Sequence, residues 1–123
     1  YQIAIGLQND RLKQIELKRK ETEQELGLAR RIQKTFLPEK LPEIPGYQLA
    51  VDWNTARQVG GDFYDVIPLS PTKFGLIIAD VSDKGLAASL YMTVSRTLLR
   101  AVSQEFTSPA RALERVNQLL QLD

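Results

Sequence analysis

Two short acidic segments, QVGGDFYD at residues 58–65 and IIADVSDKG at residues 77–85, carry the side chains best suited to chemistry in this sequence. Each sets an Asp beside backbone made permissive by Gly, one at the start of an expected strand and one at the end of the next. If residues 62–69 and 73–80 pair as an antiparallel hairpin, Asp62 and Asp80 become neighbours. Two carboxylates a few ångströms apart repel unless a cation or a proton lies between them. Mg²⁺ and Mn²⁺ accept carboxylates, backbone carbonyls and waters. That is the ligand set on offer, because the chain has no His and no Cys. The strand period sorts the acids further. Asp62 and Asp65 are three apart, so a regular strand sends them to opposite faces. Asp62, beside Gly60 and Gly61, is the better ligand candidate, and Asp65 is a structural acid or one that supports the ligands from behind. The plainer reading of residues 80–85 is a strand-to-helix connection in which Ser82 or Asp83 caps the following helix.

Several elements must position these turns. From Tyr1 to Phe36 there is no Pro, and Glu, Lys, Arg and Gln are dense, so one long helix of roughly 54 Å is expected. A heptad with a at Ile5, Leu12, Arg19, Leu26 and Gln33 places d at Gln8, Ile15, Thr22, Ala29 and Phe36, and six of these ten positions are apolar. The helix is either a parallel dimer stalk or a plain linker. Pro38, Pro42 and Pro45 end it and set a boundary between residues 1–38 and a second unit, 39–123. Alternation of Leu49, Val51 and Trp53 predicts a strand over residues 47–54, with Tyr47 and Trp53 in the core. A second strand, DFYDVIPL, ends at an edge or a bulge near Pro68. The most apolar run, KFGLIIADVS, is expected to be a central strand. Leu86, Leu90, Val94 and Leu98 recur every four residues and predict an amphipathic helix over 86–105. Ser108 and Pro109 open a last helix with an apolar stripe at Ala112, Leu113, Val116, Leu119 and Leu120.

Composition narrows the function classes. With 16 Lys plus Arg against 15 Asp plus Glu, the net charge of +1 lacks the clustered cationic excess of a nucleic-acid binder. Without Cys or His there is no disulfide framework, no thiolate or imidazole metal site and no His-based acid or base. No run approaches the roughly 20 apolar residues of a membrane span, and the first residues lack the features of a signal peptide, so a cytoplasmic setting is the default expectation.

The order of the pieces ARRIQKTFLPEKLPEIPGYQLA, TARQVGGDFYDVIPL and FGLIIADVSDKGLAASLYMTVSRTLLRA resembles the bacterial metal-dependent Ser/Thr phosphatases of the sporulation and stress-response (SpoIIE) type, within the PPM or PP2C-like group. The likeness runs from about Leu28 to Gln121. It implies an α+β fold, in which the long helix is followed by the first half of an α-β-β-α sandwich. It also implies two Mn²⁺ or Mg²⁺ ions in the intact domain, with Asp62 and Asp80 as ligands, Asp80 bridging, and the Val81 carbonyl contributing. Asp83 stands where such proteins commonly carry Gly, adding charge beside the expected ligands. Arg57 is either a phosphate contact or a solvated loop cation. The implied activity is hydrolysis of phosphoserine or phosphothreonine on an anti-anti-sigma-type protein by metal-activated water. The implied partners are a second copy through residues 1–36 and an upstream sensor, with neither nucleic acid nor membrane insertion. The alternative is a non-catalytic dimerisation and signal-relay module whose phosphatase-like half is inert.

Overall fold

The computed structural model describes residues 1–121 and is α+β. Helix α1 spans Gln2–Phe36, strand β1 Phe63–Ser70, strand β2 Lys73–Ala79, helix α2 Gly85–Ser103 and helix α3 Pro109–Leu120. At about 1.5 Å per residue the 35 residues of α1 extend roughly 52 Å. Residues 1–25 are exposed throughout, so only the last turns of α1 touch the remainder of the chain. The helix stops where Leu37 turns extended ahead of Pro38.

The two strands form an antiparallel hairpin in which Phe63 faces Ala79 and Asp65 faces Ile77. Its register slips between Pro68 and Ser70, the irregularity that a proline without an N–H donor imposes. One face of β1 sets Phe63, Asp65 and Ile67 against α2 and the core. Phe63, Met92, Leu99, Val102, Ala112, Val116 and Leu37 form that core, with Trp53, Tyr64, Leu98 and Leu119 packed around it.

Several expectations are corrected. Residues 47–54 form no strand: no neighbouring segment pairs with them, and a lone strand leaves its backbone groups without partners. Tyr47 is 74% exposed, whereas Trp53 is half-buried against the core. Strand β2 is not central but one of two strands, and Leu76 and Ile78 project from its uncovered face. The Leu86, Leu90 and Val94 stripe of α2 is exposed. The helix instead buries Ala88, Ser89, Met92, Leu99 and Val102, because it is apolar on two sides and the hairpin and α3 take the other one. In α3 Ala112 and Val116 are buried, while Leu113 and Leu120 are exposed. Neither Ser82 nor Asp83 caps α2, whose N-cap position is Lys84. Ser108 occupies the N-cap of α3 but makes no side-chain cap bond.

Candidate metal centre

Antiparallel pairing of Phe63 with Ala79 makes Asp62 and Asp80 the next residues on the two strands. Their carboxyls face each other at the open end of the hairpin. The hydrogen bond to Asp80, then burial, then the like charge of Asp80 raise the Asp62 carboxyl above the ordinary carboxylate range. Both residues are exposed and line a cleft of about 580 Å³ with Asp52, Trp53, Asn54 and Ile78. Asp52, whose carboxylate accepts from the Asn54 amide at 3.0 Å, is a third acid on this cleft that the spacing argument missed. No signal marked it, since the segment reads as a strand that does not form. Among the described residues no group of three or more acidic side chains converges as a cation cage.

Val81 lies directly behind this pair. A Cβ on Gly61 would come within 2.8 Å of Val81 Cβ, 3.0 Å of the Val81 carbonyl oxygen and 3.1 Å of Ala88 Cβ. Only glycine lets the turn before Asp62 lie against the turn after Asp80. The Val81 carbonyl accepts from the Asp83 N–H at 2.8 Å and keeps a second lone pair. The Asp83 carboxylate accepts from the Lys84 N–H at 2.9 Å. Two carboxylates, one carbonyl and open solvent are an oxygen donor set that suits a hard divalent cation.

Asp65 points the other way, as the strand period requires. Its side chain is fully buried, Arg100 Nη1 lies 2.7 Å from both carboxylate oxygens, and Arg96 Nη2 lies at 3.0 Å. It is a core ion pair and does not reach the cleft. The signal was present in α2, where Arg96 and Arg100 are four apart on one helical face. Arg57 is exposed, with Nη1 3.8 Å from where a Gly85 side chain would begin, so it stands at the start of α2 beside the acidic turn. Among the described residues no helix is long and apolar enough to cross a membrane.

Residues 70–123 match the family model of Stage II sporulation protein E (SpoIIE). The chain is 42% identical over 81 residues to Protein IcfG of Synechocystis sp. (strain ATCC 27184 / PCC 6803 / Kazusa), covering 66% of this chain and 13% of that protein. It is 25% identical over 101 residues to phosphoserine phosphatase RsbU of Bacillus subtilis (strain 168), covering 82% of this chain and 30% of the relative. Against phosphoserine phosphatase RsbP of the same organism it is 29% identical over 101 residues, 80% of this chain and 24% of the relative. The chain thus spans less than a third of each of these relatives. No solved structure matches it significantly. The hairpin and its neighbouring acids agree with these likenesses: over residues 70–123 the chain is similar to the SpoIIE family, and over a longer stretch to two phosphoserine phosphatases.

Proposed function

We propose that this chain supplies the Asp62 and Asp80 edge of a metal-dependent phosphatase that removes phosphate from serine or threonine of an anti-anti-sigma-type regulatory protein. The observation that carries this reading is the strand register that sets Asp62 and Asp80 side by side at the open end of the hairpin. Asp62, Asp80 and the Val81 carbonyl would hold Mn²⁺ or Mg²⁺, which when bound supplies water activation and charge neutralisation for phosphoryl transfer. Gly61 keeps the two turns in contact, and Asp83 adds negative charge beside them. Arg57 faces the same turn from the loop, and its planar guanidinium suits two phosphoryl oxygens. The exposed first 25 residues of α1 serve as a dimer stalk between an upstream sensor and the site, in a cytoplasmic setting.

The test is phosphate release from phosphoserine peptides by the natural full-length protein across a Mn²⁺ titration. Asp80→Asn and Asp62→Asn each lower activity by at least about 100-fold at limiting Mn²⁺ if both are ligands. Activity indifferent to both substitutions refutes the reading. A wild-type protein with no hydrolysis at any Mn²⁺ concentration favours the inert dimerisation module.

A further inference from the structure

Gln33 is the only buried residue of α1, at 3% exposure, although the helix carries Leu7, Leu12 and Ile15 more than half exposed to solvent. Burying an amide is unfavourable unless both its donor and its acceptor are satisfied. Here both are satisfied by one residue. Gln33 Nε2 donates to the Gly60 carbonyl, and Gln33 Oε1 accepts from the Gly60 N–H at 3.2 Å. Among the described residues, neither backbone group of Gly60 has a backbone partner. The side chain therefore acts as the peptide group that a neighbouring strand would otherwise present.

Gly60 is two residues before Asp62, and the turn between them is held at three points. Gln33 holds Gly60, Val81 and Ala88 press on Gly61, and Trp53 Nε1 donates to the Asp62 carbonyl at 2.9 Å. Of these contacts only that of Gln33 comes from α1, 27 residues away in sequence. We propose that Gln33 is a positioning residue whose amide, by clamping both backbone groups of Gly60, sets Asp62 against Asp80 and Val81 and so tunes the affinity of this edge for a divalent cation. The proposal rests on the reading of Asp62 and Asp80 as ligands. A leucine at the same place would pack α1 equally well, so the amide, and not the bulk, is what the turn requires.

The experiment uses the natural full-length protein with Gln33→Leu and, should that variant not fold, Gln33→Met. Three quantities are read: Mn²⁺ affinity by calorimetry, hydrogen exchange of the peptide containing Gly60 to Asp62, and the thermal midpoint. Two lost hydrogen bonds predict that the Mn²⁺ concentration for half-occupancy rises about tenfold and that the Gly60 amide exchanges at least about tenfold faster, with saturating Mn²⁺ restoring full occupancy. Unchanged Mn²⁺ affinity and exchange, with only a lowered thermal midpoint, makes Gln33 a packing residue and overturns the proposal. Asp62→Asn separates the two layers of inference. If it leaves Mn²⁺ binding unchanged, the ligand reading itself fails. If it weakens binding while the Gln33 variants do not, only the role of Gln33 fails.

Discussion

Replacing Asp65 with Asn exposes the asymmetry of a buried ion pair. The wild-type side chain has no exposure and takes three charge-assisted contacts from Arg96 and Arg100, while its Oδ1 also accepts from the Val66 N–H at 2.9 Å. Burial pushes the Arg96 guanidinium below its ordinary range and the Asp65 charge works against that push. Asn keeps the volume and an oxygen for Val66 but leaves two cations without a counter-charge. Breaking a buried pair by removing one partner costs about 3–5 kcal/mol. Arg100 is 44% exposed and can turn to water, whereas Arg96 is only 11% exposed and its Nε already lacks a partner, so about 3 kcal/mol is expected. With a urea slope of about 1–3 kcal/mol/M for a small domain, the unfolding midpoint falls by at least about 1 M. Urea unfolding of the natural full-length protein, read through domain-specific fluorescence, measures it. Asp65→Leu combined with Arg96→Met should cost far less, because an apolar pair replaces a buried charge pair with little penalty. Since Asp65 faces the core, Mn²⁺ affinity in Asp65→Asn stays at the wild-type value. A loss below about 1 kcal/mol, or a Mn²⁺ affinity that collapses with the substitution, would refute this account of the two strand faces.

Gly61→Ala places a Cβ within 3.1 Å of three atoms of Val81 and Ala88, so overpacking is expected to cost about 1–3 kcal/mol and to raise the Mn²⁺ requirement; thermal unfolding and calorimetry check both. The raised Asp62 carboxyl means that the folded state holds its proton more tightly than the unfolded chain does. In chelator its stabilising contribution is therefore present at low pH and lost as pH rises through the folded value. Asp80→Asn consequently raises the chelated midpoint at pH 7 relative to wild type, and an unchanged midpoint contradicts the like-charge argument. The exposed seam residues Ile5, Leu12 and Ile15 predict that this chain is at least dimeric at micromolar concentration, and light scattering that finds a 13.9 kDa monomer rejects the stalk.

Periodicity made three helices and a hairpin legible because each carries a local signal: a Pro-free polar run, a four-residue apolar repeat, a Pro at N1, and alternation bounded by glycine. The pairing of Asp62 with Asp80 followed from the hairpin alone, since strand ends are neighbours by geometry. What failed was whatever depended on a partner. Residues 47–54 alternate like a strand and find nothing to pair with, and the Leu86, Leu90 and Val94 stripe is as apolar as the face that α2 buries. Period alone cannot say which of two apolar faces meets the hairpin. Gln33 shows the same limit from the opposite side. In a heptad it is a polar flaw at an a position, and only the loop 27 residues later reveals why an amide stands there.

Two acids three residues apart, one just before β1 and one within it, therefore have opposite fates for one geometric reason. The strand turns Asp65 inward, where two arginines on successive turns of α2 neutralise it and fix the hairpin to the helix. Asp62, just before the strand, is exposed beside Asp80, whose nearness raises its carboxyl above the ordinary range. The inward acid is satisfied by the chain itself, so its loss is felt as stability. The exposed acid has no cation partner among the described residues, and its backbone is held by Trp53, Val81 and, through Gly60, Gln33. Disturbing those holds should alter cation affinity before it alters folding, whereas disturbing Arg96 should do the reverse.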